Sequence, residues 1–501
     1  MKSKQVRIYK ETNVYSTMAA ISNEEEDFNE APAFIDMNSA VEVDVPDGNP
    51  NDDEMMMDDD ARDEHPSKTE GASSTTAAPI ADQSKATFTS HTDAIYAVAS
   101  HYDASSHTLS IASGGGDDRA YLHRITTASQ QLTQQTIPLT HPHTDSISCL
   151  AFNSSFIAKD VSGKVQQNLL AVGSYDGAIV LYDATDGTLH HVLEGPSDVE
   201  WTCFHPKGGT VLLAGSIADG TIWMYHVPSK SCMQVFVGHE GGVTAGAFTP
   251  DGKWVVSVGR DGTCRVWAPK TGMSKHVFRL MEQMGGGGDE AGPGLTCLAV
   301  GGGQDGQLAI CGGEDGNAYV VHISGKKLVA TLPHYEEQPN NNTGASDATA
   351  ATGGDDDMEE EEEGEARSIE AVGFCPPNIP GVAHWCATGG VDGVLKIWNM
   401  NVTSGGGTAQ LRQRCVRDDS DPERPPAGIT RLSWHASLPL VICAYTDGIV
   451  GVWDVRVGKL VGTLSGHADM INDMSTVFVE STAVVCTGSD DKTVKMFEFQ
   501  P

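Results

Sequence analysis

The sequence predicts an all-β propeller of eight four-stranded blades over residues 85–501, preceded by a disordered acidic tail over residues 1–84. Three observations predict it. A turn of the form small residue, Asp-Gly or Asp-Asp recurs through the chain, each copy flanked by short alternating apolar runs. Its shortest spacings are 42, 43 and 44 residues, the length of four short strands with their turns. The net charge of −36 is also segregated rather than uniform.

The tail comes first. Residues 1–84 hold 20 acids and 6 bases, and between Ser22 and Glu64 there are 17 acids against the single base Arg62. Such a stretch buries too little apolar surface to offset its chain entropy, so it is expected to be disordered. Its start, "MKSKQVRIYKETN", has no apolar core of the kind a secretory leader needs, and no apolar run approaches the roughly 20 residues of a membrane span. The 11 cysteines include no CxxC pair and fall mostly in apolar runs, as expected of buried thiols in a reducing compartment. These features point to the cytoplasm, with the nucleus as a second compartment.

The repeats follow. They read "IASGGGDDRAYLH", "LAVGSYDGAIVLYD", "LAGSIADGTIWMY", "VVSVGRDGTCRVWA", "AICGGEDGNAYVVH", "CATGGVDGVLKIWN", "ICAYTDGIVGVWD" and "VCTGSDDKTVKMFE". Their turn aspartates align as Asp118, Asp176, Asp219, Asp261, Asp315, Asp392, Asp447 and Asp491. Each turn needs positive φ or a self-bonding side chain, which Gly and Asp supply. Before the turn come a first strand such as "VTAGAF" and a second ending in small residues. After it come an alternating third strand, often ending on an aromatic, and a fourth such as "KLVGTL". The last repeat stops after its third strand, whereas "ATFTS" at 86–90 precedes the first. That segment is expected to complete the final blade and remove its exposed edge.

In this pattern the chain resembles the WD-repeat (WD40) propellers. Repeat four is the most complete, with Gly238, His239, Ser257, Asp261 and Trp267 at the positions that bond within a WD blade. Repeat eight matches with His467, Thr487 and Asp491 but ends on Phe497. Repeat one carries Arg124 where the aromatic belongs, and repeats three, five, six and seven lack the histidine. His239, Ser257, Asp261 and Trp267 are thus expected to be scaffolding, because buried polar groups must be satisfied. The same residue types recur in other turns, so they do not mark a metal or catalytic site. "GGGG" at 285–288 and "GGG" at 301–303 lack a following helix pattern or GK[ST] and are turns, not phosphate loops. No cofactor, no metal and no enzymatic activity are expected.

What remains is a surface. In WD propellers the loop before the first strand and the turn between second and third strands emerge on one face, which commonly takes the ligand. On that face the resemblance places Asp117, Tyr175, Ala218, Arg260, Glu314, Val391, Thr446 and Asp490 before the turn aspartates. Asp93, Asp145, Asp198, Glu240 and Asp469 fall in or beside the loops ahead of the first strands. Arg260 is the single base among them. Insertions over 281–294, 333–367 and 413–427 fall in the same loop type, the third carrying Asp418, Asp419, Asp421 and Glu423. The second is disordered by expectation and carries an acidic run: Asp355, Asp356, Asp357, Glu359, Glu360, Glu361, Glu362, Glu363 and Glu365. An acidic face repels phosphate backbones and attracts a basic protein segment.

Repeat three, "LEGPSDVEWTCFHPKGGTVLLAGSIADGTIWMYHVP", narrows the resemblance to the angio-associated migratory cell protein group. Gly195-Pro196, Val199-Glu200-Trp201, His205-Pro206 and "ADGTIWM" carry it. The group includes a fungal propeller that chaperones a basic large-subunit ribosomal protein. The resemblance therefore implies a monomeric chaperone or escort in 60S ribosome assembly, with Glu200, Trp201 and Tyr175 among the contact residues. A signalling, trafficking or cell-migration scaffold, and a histone escort, are the alternative expectations.

Overall fold

The computed structural model describes residues 81–128, 131–153, 168–207, 209–280, 293–303, 306–335, 367–400, 409–418, 426–479 and 481–501. The tail to residue 80 and the acidic run 355–365 lie outside them.

The described strands, numbered in chain order, form eight four-stranded antiparallel sheets. The inner strand of each blade is β2 (Ile95–Asp103), β6 (Ile147–Phe152), β10 (Trp201–Phe204), β14 (Val243–Phe248), β18 (Leu295–Gly302), β22 (Ile369–Phe374), β26 (Ile429–Trp434) or β30 (Ile471–Val479). Each packs on the inner strand of the next blade, and β30 returns to β2, so the ring closes around a channel. The second strands are buried along their length: β3 (Thr108–Gly115), β7 (Leu169–Ser174) and β27 (Leu440–Tyr445) are covered on both faces. Their apolar runs do not alternate because blades pack on both sides of them. Outer strands such as β25 (Gln410–Cys415) and β29 (Lys459–Leu464) are largely exposed.

The core lies between the blades. An apolar cluster occupies each junction, from Ile125, Ile95 and Cys486 between blades eight and one to Val441, Trp453 and Ile397 between blades six and seven. All 11 cysteines are free. Burial pushes the Cys297 thiol up to about 11 and Cys486 up to about 12, which keeps them protonated at neutral pH.

Closure follows the expected route. Strand β1 (Ala86–Phe88) pairs with β32 (Val494–Phe499), Ala86 opposite Met496 and Phe88 opposite Val494. The preceding residues tighten it: Gln83 donates its amide to Ser465 at 2.8 Å, and Lys495 reaches Asp82 at 2.6 Å. Burial works against the Asp82 carboxylate, but Lys495 and Ser84 hold its pKa at about 2. The third insertion starts later than expected, because 413–415 belong to β25 and pair with the third strand of blade six.

Candidate binding face

Blade four shows the scaffold in full. His239 Nδ1 lies 3.0 Å from both Asp261 oxygens, His239 Nε2 is 2.8 Å from Ser257 Oγ, and Trp267 Nε1 donates to that hydroxyl at 2.8 Å. Asp261 also accepts the amides of Glu240 and Thr263, tying the loop before the inner strand to the turn after the second. Burial opposes its charge, yet His239, these amides and Thr263 hold its carboxyl well below the ordinary range.

This cross-tie puts loop and turn on one face and shows where the sequence alignment erred. In blades two, four, five, six, seven and eight, the residue before the turn aspartate donates its amide to the residue just ahead of the inner strand. The pairs include Tyr175 to Ser146 at 3.1 Å and Asp490 to Met470 at 3.0 Å. In blade one the donor is Gly116, to Ala94 at 2.8 Å. The turn aspartate of blade one is therefore Asp117, not Asp118, and Asp118 takes the left-handed position (φ +59°) that Gly262 fills in blade four. Asp117 binds His91 at 2.9 Å with 4% of its side chain exposed, so it is scaffold rather than rim. The fourth partner is His123, bonded to Ser113 at 3.0 Å, and not Arg124.

Blade six is corrected likewise. Its histidine is His334, 2.8 Å from Thr388 and 3.3 Å from Asp392, with Trp398 donating to Thr388 at 3.0 Å. The long insertion separates His334 from its blade in the sequence. Tyr335 Oη donates to the Ser368 carbonyl at 3.4 Å, which brings the two ends of that insertion together at the upper face. Blade seven replaces the histidine with Arg417, whose guanidinium forms two hydrogen bonds to Asp447, one of 3.0 Å. It lies 4.5 Å from the Tyr445 ring centroid, and Trp453 donates to Tyr445 Oη at 3.0 Å. Blade three uses Ser197, whose amide and hydroxyl both reach Asp219.

Across the rim the predicted residues divide. Asp469, Asp93 and Asp145 stand at one equivalent position in the adjacent blades eight, one and two. All three are exposed, and each accepts the next residue's amide, at 2.8, 2.9 and 2.7 Å. Asp490 is half-buried and accepts from Asn472 at 2.6 Å. Glu240, Glu314 and Asp418 are exposed on blades four, five and seven; Asp419 lies outside the described residues. Asp198 is one position displaced from the aspartates of its neighbours and is held by the Ser216 hydroxyl and the Ala218 amide. Trp201 is wedged between blades three and four: a Cβ on Gly246 would lie 2.1 Å from its ring, and its Nε1 donates to Val243 at 3.1 Å.

That last bond belongs to a belt around the channel mouth. The residue after the first buried residue of each inner segment (Val199 in blade three, just ahead of β10) bonds the corresponding carbonyl of the next blade: Ser148 to Val199, Thr244 to Leu295, Thr296 to Ile369, Thr430 to Ile471 and Asn472 to Ile95. At the same position blades one, three and six carry Tyr96, Glu200 and Glu370. Glu200 accepts the Tyr175 hydroxyl at 2.9 Å, and Ser368 donates to Glu370 at 2.5 Å. Burial raises the Glu200 carboxyl, Asp198 adds to that, and Tyr175, Arg260 and Arg431 act against it. Tyr96 and Tyr175 are 42% and 39% exposed.

One position deeper, Arg431 donates to Asp473 at 3.0 Å, and Asp473 accepts the Val98 amide at 2.8 Å, linking blades seven, eight and one. Sequence reasoning missed Glu370, Arg431 and Asp473. Counting inward from the first buried residue of each inner strand would have found them. Among the described residues no three His, Cys, Asp or Glu side chains are placed to hold a metal ion, and no helix is long and apolar enough to cross a membrane.

Three comparisons bear on this geometry. The family model for the WD domain, G-beta repeat, matches residues 82–123, 230–268 and 458–498. The propeller is similar in structure to Sqt1 of Saccharomyces cerevisiae, with a TM-score of 0.63 at 16% identity, covering 84% of this chain and 100% of that one. It is also similar to Chaetomium thermophilum Sqt1 bound to the N-terminus of the ribosomal protein L10, with a TM-score of 0.60 at 21% identity, covering 84% and 100%. In sequence it is 30% identical over 418 residues to the angio-associated migratory cell proteins of Canis lupus familiaris and Homo sapiens, spanning 83% of this chain and 80% of each relative. An eight-bladed ring with WD turns and that extent of identity together place this chain in the angio-associated migratory cell protein family of WD40 propellers.

Proposed function

We propose that the chain is a non-catalytic monomeric escort, acting in the cytoplasm, for a Lys/Arg-rich segment of a newly made large-subunit ribosomal protein. The observation that carries this reading is the row of Asp469, Asp93 and Asp145. Three exposed carboxylates repeat at one position on adjacent blades, each oriented by the backbone amide of the following residue. Oriented carboxylates form charge-assisted hydrogen bonds to Arg and Lys without first losing side-chain freedom. The fold shared with a propeller bound to a ribosomal-protein N-terminus supports the same reading.

The triple variant Asp93→Asn, Asp145→Asn, Asp469→Asn tests it. Asn keeps the acceptor for the capping amide, so the urea midpoint should hold while association with a basic client peptide slows about tenfold at low salt. The wild-type advantage should shrink as salt shortens the screening length from about 10 Å at 0.1 M toward about 3 Å at 1 M. Unchanged association in the triple variant would refute the assignment. Purification at low salt, yielding histones or receptor tails instead of one ribosomal protein, would favour the alternatives.

A further inference from the structure

The acidic row stands above a cavity. On the channel wall, β30, β2, β6 and β10 enclose an open space of about 410 Å³. Leu150, Phe152 and Met474 line it together with the hydroxyl residues Ser100 and Ser475. The cavity lies in the same sector of the ring as Asp469, Asp93 and Asp145, and extends into neighbouring blade three.

The two features are joined by strand geometry. From Asp93, Asp145 and Asp469 to the cavity residues Val98, Leu150 and Met474 is five positions along each inner strand. At about 3.3 Å per residue that is about 17 Å, the reach of about five residues of extended peptide. A chain whose basic residues engage the rim would therefore deliver its next residues into this cavity. The volume exceeds that of a single Leu or Phe side chain.

We propose that this cavity is an anchor subsite for an apolar side chain placed about five residues from the basic cluster of the client segment. The inference rests on the escort reading. In it the rim carboxylates set the rate of encounter, and the cavity selects among basic segments, which charge alone discriminates poorly. Burying one Leu or Phe side chain raises affinity about tenfold or more.

Two synthetic peptides of equal charge test it, each with five Arg or Lys residues followed after five positions by either Leu-Phe or Ser-Ser. The Leu-Phe peptide should bind the full chain about tenfold tighter, and Ala151→Met, which fills the cavity, should abolish that preference while leaving the Ser-Ser peptide unaffected. Should Ala151→Met fail to fold, the wild-type protein decides: a photo-reactive phenylalanine at the Phe position should cross-link to β2, β6, β10 or β30. Equal binding of the two peptides, or cross-links confined to the rim, overturns the anchor and leaves the escort reading standing. Binding of neither peptide overturns both.

Discussion

Blades four and seven solve one problem with different chemistry. Both must tie the loop ahead of the inner strand to the turn aspartate across a buried gap. Blade four uses a neutral-capable histidine, bonded to Asp261 on one side and Ser257 on the other, with Trp267 completing the chain. Blade seven uses a permanent cation, Arg417, in a two-bond contact with Asp447, stacked on Tyr445, which in turn receives Trp453. The turn aspartate and the tryptophan are common to both. The middle partners are not, and Cys443 stands where blade four has Ser257. What the fold requires is an acceptor at the turn and a donor that reaches it, not a particular residue.

The difference sets the largest expected effect. Arg417 and Asp447 have only 7% and 8% of their side chains exposed. Asp447→Ala leaves a buried cation that cannot lose its proton, at a cost of about 3–5 kcal/mol. Asp261→Ala leaves His239, which can remain neutral, and should cost about 1–3 kcal/mol. Urea midpoints of the two variants check the order. An Asp447→Ala loss no greater than that of Asp261→Ala would show that solvent reaches Arg417.

A second test uses pH. Blade one places His123 at the tryptophan position, bonded to Ser113 and Thr136 and stacked on Phe88 of the closing strand at 4.2 Å. Burial, with a smaller contribution from His91, pushes its pKa down to about 3. The folded protein therefore refuses a proton that the unfolded chain accepts below about pH 6.5. Its share of stability is complete above about 6.5 and is lost progressively as pH falls toward 3. Asp261 titrates lower: its share is complete above the unfolded carboxylate value of about 3.9 and is lost only below it. His123→Gln should flatten the stability profile between pH 6.5 and 4, whereas Asp261→Asn should alter it only below about 4. An unchanged slope in His123→Gln would show that another buried histidine, such as His91, carries it.

The same contrast explains what could be read from the sequence. Repeat number, strand pattern and closure through 86–90 were legible because they depend on local alternation and on Asp-Gly turns. The blade partners were not, because they are met in space rather than in sequence. His334 lies 58 positions before Asp392 across an insertion, and Arg417 carries no motif. Two adjacent aspartates, Asp117 and Asp118, are equivalent on paper, and the amide of Gly116, the bond to His91 and the left-handed φ of Asp118 distinguish them. Of the rim, Asp93, Asp145 and Asp469 were visible from their place before an apolar run. Glu370, Arg431 and Asp473 were hidden because inside a strand a charge facing a channel looks like a charge facing solvent.

Blade two offers the smallest and cleanest perturbation. His143 bonds Asp176 at 3.1 Å, as blade four's histidine bonds Asp261, but its Nε2 has no partner among the described residues. Four positions before the turn aspartate, where the Ser113, Ser257, Thr388 and Thr487 hydroxyls bond their histidines, blade two has Val172. Val172→Thr keeps the shape and supplies the missing oxygen, so it should stabilise by about 0.5–1.5 kcal/mol. Val172→Ala, which supplies no oxygen and leaves a cavity in the junction between blades one and two, should destabilise. If Val172→Thr destabilised as well, the hydroxyl would be failing to reach His143, and blade two would be held by its turn and apolar packing alone.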